Sequence, residues 1–67
     1  MNNEEVLQAL AHLIGTTYDE NTRDTVMRIT GRVGVLGPGD IRTLQLDPNR
    51  ITIRANSDSL IEGFAFG

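Results

Sequence analysis

The chain has 67 residues, which is enough for one domain spanning 1–67, and a chain of this length buries only about 60% of the surface that its unfolded form exposes. Its core must therefore be thin, and a deep catalytic cleft is not expected. Six basic residues, all arginine, stand against nine acidic residues, and the net charge of −3 argues against a nucleic-acid partner. The absence of cysteine excludes both a disulfide framework and a thiolate metal site.

The first predicted element is a helix over residues 3–14. Asn2 and Glu5 have the spacing of a capping box, and Gly15 suits the end of a helix. The apolar residues recur at helical spacing and share one arc. These inner positions are Val6, Leu7, Leu10, Leu13 and Ile14.

A second helix is predicted in the polar segment that follows Tyr18. Either Asp19 or Thr22 can cap this helix, whose inner positions would be Thr22, Val26 and Ile29. Residues 25–30 are rich in β-branched side chains and can equally be read as a strand. Gly31 ends the element in either interpretation.

Three strands are predicted in the second half of the chain, at residues 32–36, 49–55 and 60–66. The middle strand alternates cleanly, with Ile51, Ile53 and Ala55 on the inner face. The turn-forming residues 56–59 predict an antiparallel hairpin with the last strand. Parallel pairing is expected between the first two strands, on either side of an exposed loop. The predicted fold class is α+β, with one or two helices packed on a small mixed sheet.

Conventional catalysis finds little support in the residue types. His12 is the single histidine and lies on the polar side of the first helix, where a solvated role is favoured over a catalytic one. The glycine run from Gly31 to Gly39 lacks the lysine of a phosphate-binding loop and is followed by the acidic Asp40. The chain is therefore predicted not to be an enzyme and to use no metal or cofactor.

The amino-terminal residues are acidic, whereas a signal peptide begins with basic ones. No apolar run approaches the roughly 20 residues that span a bilayer. The sequence as written is therefore expected to be soluble and to have no membrane partner, and it leaves the localisation of the protein open.

The most informative part of the sequence lies between Pro38 and Ile53. Its motifs are Pro38-Gly39-Asp40, Thr43-Leu44-Gln45-Leu46 and Asn49-Arg50-Ile51-Thr52-Ile53, followed at the end of the chain by Gly67. In this order and spacing they resemble the binding-loop region of potato inhibitor I and eglin, which are serine protease inhibitors. The closer similarity is to the small fungal elastase inhibitors and their bacterial homologues. Leu13-Ile14-Gly15 and Tyr18 match the same branch, so that the resemblance covers most of the chain.

The resemblance implies that the chain inhibits a serine endopeptidase by binding in the manner of a substrate. The Leu44–Gln45 peptide bond would be presented to the nucleophile, with Leu44 in the primary specificity pocket. An apolar residue there points to subtilisin-, chymotrypsin- or elastase-like targets. The implied binding loop comprises Asp40, Ile41, Arg42, Thr43, Leu44, Gln45, Leu46 and Asp47.

The resemblance also implies how such a loop would be supported. Arg50 would lie beneath the loop and hydrogen-bond it, Thr52 would assist at shorter range, and Gly67 would approach the arginine. The sequence departs from the family pattern at several points. It has no cysteine near its ends, Thr52 replaces a second arginine, and Gln45 replaces a common acid.

Other interpretations of the same residues stay open. Leu44 can be an ordinary core residue, Arg50 a solvated cross-strand partner, and Thr43 merely suited to extended backbone. At the level of function, the alternatives are a non-inhibitory binding module that uses an edge strand or the tail of residues 64–66, and a small structural homo-oligomer. The inhibitor interpretation predicts a monomer whose partner is a serine protease.

Overall fold

The structure is a computed structural model that describes residues 1–40 and 47–67. In this part of the chain, two α-helices pack on a three-stranded mixed sheet, which confirms the predicted α+β class. The helices are α1 (Asn3–Leu10), which continues into a 3₁₀ turn (Ala11–Leu13), and α2 (Glu20–Thr30). The strands are β1 (Val35–Leu36), β2 (Ile51–Ala55) and β3 (Ile61–Phe66).

Helix α1 begins with the predicted capping box. The Glu5 N–H donates to Asn2 Oδ1 at 2.8 Å, and the Asn2 N–H donates to a Glu5 carboxylate oxygen at 3.0 Å. The α-helix ends four residues earlier than predicted, because the chain tightens into the 3₁₀ turn after Leu10. The predicted end at Gly15, which has a φ of +89°, marks the exit from this turn instead.

The predicted inner face of α1 is partly wrong. Val6 and Leu10 are fully buried and Leu13 packs against the core, but 42% of Leu7 and 50% of Ile14 are exposed. Leu7 follows Val6 by one residue and is therefore rotated about 100° away from the buried stripe. Ile14 lies beyond the helical turns, on extended backbone.

The second segment is a helix and not a strand. Asp19 is its N-cap, and Thr22 takes part in the same cap, since its hydroxyl accepts a hydrogen bond from the Asp19 N–H at 3.1 Å. Val26 is fully buried, Thr22 is 7% exposed, and Ile29 packs against the core from a half-buried position. Gly31 ends the helix with a left-handed φ of +71°, as its position predicted.

The sheet has the order β1-β2-β3 and the predicted mixture of pairings. β1 runs parallel to β2, with Val35 opposite Ile51, and β3 returns antiparallel to β2. β1 is shorter than the predicted strand over 32–36, because β2 begins only at Ile51. Before Val35, the described backbone makes one hydrogen bond to β2, in which the Gly34 carbonyl accepts from the Ile51 N–H at 2.8 Å.

The core lies between the helices and one face of the sheet. The alternation in β2 is confirmed for Ile51 and Ile53, which are both fully buried, whereas Ala55 is half-buried beyond a register shift at Arg54. The buried apolar residues come from every helix and strand: Val6, Leu10, Val26, Val35, Ile51, Ile53 and Ile61. No helix within the described ranges is long and apolar enough to cross a membrane.

Replacement of Ile53 by alanine should lower the free energy of unfolding by about 3 kcal/mol, because it opens a cavity in a core this small. Val33→Ala is the matched control, since the Val33 side chain is 86% exposed, and it should change stability by less than about 0.5 kcal/mol. Urea titration followed by circular dichroism measures both variants. Equal stability losses would contradict this assignment of the core.

Candidate functional site

The predicted binding segment belongs to the connection between β1 and β2. Its central residues, Ile41, Arg42, Thr43, Leu44, Gln45 and Leu46, lie outside the described residues, and so does the predicted reactive bond. The structure does describe both ends of this connection. We call residues 37–40 the amino root and residues 47–50 the carboxyl root.

The amino root is a tight turn closed by its own backbone and one carboxylate. The Asp40 N–H donates to the Gly37 carbonyl at 3.2 Å, and Asp40 Oδ2 accepts from the Gly37 N–H at 2.7 Å. Gly39 occupies the left-handed region with a φ of +82°, which the turn requires and glycine adopts without strain. Arg23 of α2 lies 3.8 Å from Asp40 Oδ2. Both side chains are substantially exposed to solvent. The ion pair therefore orients the two side chains and adds little to the stability of the fold.

Tyr18 packs directly on the amino root. A Cβ atom at the buried Gly37 would overlap the Tyr18 hydroxyl and lie 3.0 Å from its Cζ, so that only glycine admits the ring. The backbone N–H of Tyr18 donates to the Ser59 carbonyl at 2.7 Å, which ties this residue to the turn between β2 and β3. Burial, and then the negative charge of Asp40, raise the pKa of the Tyr18 phenol above its ordinary value. The phenol is therefore neutral throughout the physiological range.

The carboxyl root is a second tight turn. Asp47 Oδ1 accepts from the Asn49 N–H at 3.0 Å, and the Asp47 carbonyl accepts from the Arg50 N–H at 2.9 Å. Asn3, at the start of α1, reaches this turn with its side-chain amide and donates to the Pro48 carbonyl at 3.2 Å. A residue 45 positions away in sequence therefore touches the turn.

Arg50 and Gly67 lie together at the carboxyl root. Arg50 Nε donates to the main-chain oxygen of Gly67 at 3.2 Å, and the Gly67 N–H donates to the Arg50 carbonyl at 3.2 Å. The stem of Arg50 packs on Gly34, where an added Cβ would meet three Arg50 atoms at an ordinary 3.7 Å. Thr52 is half-buried in β2, opposite Leu36 in the parallel pair. The structure therefore places Arg50, Thr52 and Gly67 at the carboxyl root and beside it, and their role in supporting the loop stays a prediction.

Two further residues at the roots had no role assigned from the sequence. The first is Tyr18, which the sequence offered only as a matching position. The second is Arg32, whose guanidinium contacts Asn3, the carbonyl of Asn49 and the ring of Phe66. The contacts of Tyr18 and Arg32 have no local sequence signal, because they join elements that are far apart in the chain. The one available hint was that Arg32 follows a helix-ending glycine and therefore lies at a helix exit.

The surroundings of the roots are open and polar. A depression of about 460 Å³ separates the amino root from the outer face of the sheet, where Thr52, Arg54, Glu62 and Ala65 line it. Within residues 1–40 and 47–67, no three histidine or acidic residues gather in a way that could hold a metal ion. The described geometry therefore consists of two braced turns on a rigid sheet, an arrangement suited to holding a short chain segment between fixed ends.

Comparison with known proteins gives one informative match. Neither a protein-family model nor a curated protein matches the chain. Among solved structures, the chain is similar to the elastase inhibitor AFUEI, in its crystal form II, with a TM-score of 0.62 and 25% sequence identity. The match covers 96% of this chain and 93% of the inhibitor. Nearly the whole length of this chain therefore shares its fold with an elastase inhibitor.

Gly37→Ala should lower the free energy of unfolding by about 2 kcal/mol, because the new methyl group collides with Tyr18. The matched control is Gly34→Ala, whose methyl group would make only ordinary contacts and should cost less than about 1 kcal/mol. Adding Tyr18→Phe to Gly37→Ala should recover part of the loss. Urea titrations of the three variants measure these differences, and a neutral Gly37→Ala would refute the close packing of Tyr18.

Proposed function

We propose that this protein inhibits a serine endopeptidase by presenting residues 40–47 to the active site in the manner of a substrate. The observation that carries the proposal is the similarity over nearly the full length to a solved elastase inhibitor. It agrees with the resemblance of Pro38-Gly39-Asp40, Thr43-Leu44-Gln45-Leu46 and Asn49-Arg50 to inhibitor binding loops. The proposed reactive bond is Leu44–Gln45. Such a protein is a binding partner of an enzyme and performs no catalysis of its own.

The braced roots support this mechanism through preorganisation. Ordering the backbone of a flexible segment costs roughly 1–2 kcal/mol per residue, which a loose peptide must lose when it binds. A segment held at both ends has met part of this cost during folding. At the amino root the Asp40 carboxylate and Tyr18 fix the turn, and at the carboxyl root Asp47 and Asn3 do so.

Slow release of the cleaved product explains inhibition instead of turnover. After attack on the Leu44 carbonyl, the new amino group of Gln45 has to leave the active site for hydrolysis to proceed. In this proposal the carboxyl root retains that amino group, so that religation competes with hydrolysis. Arg50 is the proposed support, with its guanidinium braced against Gly67. Thr52, on the adjoining strand β2, is the proposed shorter-range support.

The proposed target has an apolar primary pocket. Leu44 would enter that pocket, which fits subtilisin-, chymotrypsin- or elastase-like enzymes and not trypsin-like ones, whose pocket binds a basic side chain. Arg42 lies two positions away from the proposed reactive bond and is not assigned to the primary pocket.

The alternative of an aromatic tail that binds another protein loses its main support. Phe64 and Phe66 are half-buried and pack against the core, and the Phe66 ring also carries the guanidinium of Arg32 at 5.6 Å. An interaction module built on these rings requires them to be exposed. We therefore retain the monomeric inhibitor as the proposal, and mass measurement at micromolar concentration distinguishes it from a homo-oligomer.

Titration of the protein against subtilisin, chymotrypsin, pancreatic elastase and trypsin tests the proposed function. We expect inhibition of at least one of the first three enzymes and weaker inhibition of trypsin. Leu44→Asp should weaken inhibition by about 3 kcal/mol, roughly a hundredfold, because it places a charge in an apolar pocket. Leu44→Met, which keeps an apolar side chain of similar volume, is the control and should inhibit almost as well.

The same Leu44 variants also distinguish a binding role from a core role. A residue that acts in the complex alters inhibition and leaves the free energy of unfolding within about 0.5 kcal/mol of the parent value. If Leu44→Asp unfolds the protein, Leu44 is a core residue. If the parent protein inhibits no enzyme of the panel, the proposed target class is wrong.

Arg50→Ala should convert the inhibitor towards a substrate. Loss of the brace on Gly67 should loosen the carboxyl root, so that the Leu44–Gln45 bond is hydrolysed progressively during incubation with protease. Arg54→Ala is the matched control, because Arg54 lies further along the chain, in β2, with an exposed side chain. Mass spectrometry over time measures the cleaved fraction. An Arg50→Ala protein that remains intact and equally potent would place the support role elsewhere.

A further inference from the structure

Arg32 joins three parts of the chain beside the carboxyl root. Its Nη1 donates to Asn3 Oδ1 at 2.7 Å and to the Asn49 carbonyl at 3.2 Å, and its Nη2 donates to the Met1 carbonyl at 2.9 Å. The guanidinium carbon lies 5.6 Å from the centre of the Phe66 ring. One side chain therefore connects the start of α1, the carboxyl root and the end of β3.

The position of Arg32 is itself fixed by the end of α2. Gly31 ends the helix in the left-handed conformation, and the Arg32 N–H then donates to Thr30 Oγ1 at 3.2 Å. The Thr30 hydroxyl in turn donates to the Val26 carbonyl at 2.7 Å. Because Val26 is fully buried, the backbone of Arg32 is tied to the core through two hydrogen bonds. The guanidinium therefore extends from a rigid base.

Asn3 extends the reach of Arg32 along the turn. Its Oδ1 accepts from Arg32 at 2.7 Å, while its Nδ2 donates to the Pro48 carbonyl at 3.2 Å. Arg32 and Asn3 together bind two consecutive carbonyl groups of the carboxyl root, those of Pro48 and Asn49. Both carbonyls belong to residues with exposed side chains, which no core packing holds in place.

The chemistry of these contacts requires arginine. A planar guanidinium can donate to acceptors in different directions from separate nitrogens while its face rests on an aromatic ring. A lysine ammonium in this position is a single point of charge, and it cannot reproduce the spread of donors across Met1, Asn3 and Asn49. Hydrogen bonds from a charged donor are stronger than neutral ones, so that their loss affects the turn measurably.

We propose that Arg32, acting with Asn3, is a positioning residue that clamps the carboxyl root and thereby slows cleavage of the Leu44–Gln45 bond. Arg32 acts through the Pro48 and Asn49 carbonyls and not through contact with the protease. The effect on cleavage rests on the proposed inhibitory function, whereas the clamp on the turn does not. Two separate measurements therefore test the two statements.

Amide hydrogen exchange of the free protein tests the clamp alone. The reporters are the Asn49 and Arg50 amides, which close the turn by donating to Asp47. In Arg32→Ala they should exchange about tenfold faster than in the parent protein, and Arg32→Lys should recover only part of this protection. Exchange of the Asp40 amide at the amino root is the internal reference and should change little.

Two control variants exclude general effects of charge and stability. Arg28→Ala removes an exposed positive charge from the last turn of α2 without touching the carboxyl root. Asp19→Ala removes the N-cap of α2 and lowers global stability, again far from that root in the sequence. Neither control should accelerate exchange at Asn49 and Arg50 selectively over the Asp40 reference. Asn3→Ala should accelerate it, and should add little to Arg32→Ala, because the two side chains form one unit.

Incubation with a protease that the parent protein inhibits tests the effect on cleavage. Mass spectrometry should show Leu44–Gln45 cut about tenfold faster in Arg32→Ala than in Arg28→Ala or Asp19→Ala. Unchanged exchange in Arg32→Ala, or full recovery by lysine, would overturn the clamp. Accelerated exchange without accelerated cleavage would overturn its effect on inhibition. If the parent inhibits no protease, the proposed function fails and the exchange result alone decides the clamp.

Discussion

The parallel pairing of β1 with β2 is the constraint on which the rest of this structure depends. Adjacent parallel strands require the chain to leave the carboxyl end of one strand and return to the amino end of the next. Here the return is made by only fourteen positions, residues 37–50, little more than the roughly dozen residues that such a connection needs at the least. The proposed protease-binding residues, 40–47, lie within this connection, and each end of the connection is a turn that the domain has to hold in place.

The two turns are held by their own side chains together with others from outside the connection. Tyr18 closes over the amino root, while Asn3 and Arg32 reach the carboxyl root and Arg50 is braced against Gly67. These contacts involve backbone carbonyls and one glycine, so that they constrain the course of the chain more than they add to the core. For an inhibitor that acts as a substrate held in place, such constraint is the property that separates slow release from ordinary hydrolysis.

Because the core is small, the two turns are held in place largely by polar contacts. Among residues 1–40 and 47–67, seven buried apolar side chains from both helices and all three strands form a core that stabilises the sheet and the helices. This core does not extend to the exposed residues 47–49 of the carboxyl root. With no cysteine available for a disulfide, hydrogen bonds from charged and amide side chains are the remaining means of fixing a solvated turn.

The sequence by itself determined the elements whose causes are local. The capping box at Asn2, the stop at Gly31 and the alternation of Ile51 with Ile53 all rest on neighbours within a few residues, and each has the predicted structure. Tertiary structure decided the rest. The choice of helix over strand for residues 25–30 and the short β1 depend on packing between elements. The contacts of Arg32 depend on partners distant in sequence, since its bond to Asn49 spans 17 positions and its bond to Asn3 spans 29. The Asn3 to Pro48 bond spans 45 positions. No periodicity or turn motif encodes such distant partners, because they become neighbours only when the sheet and helices have assembled.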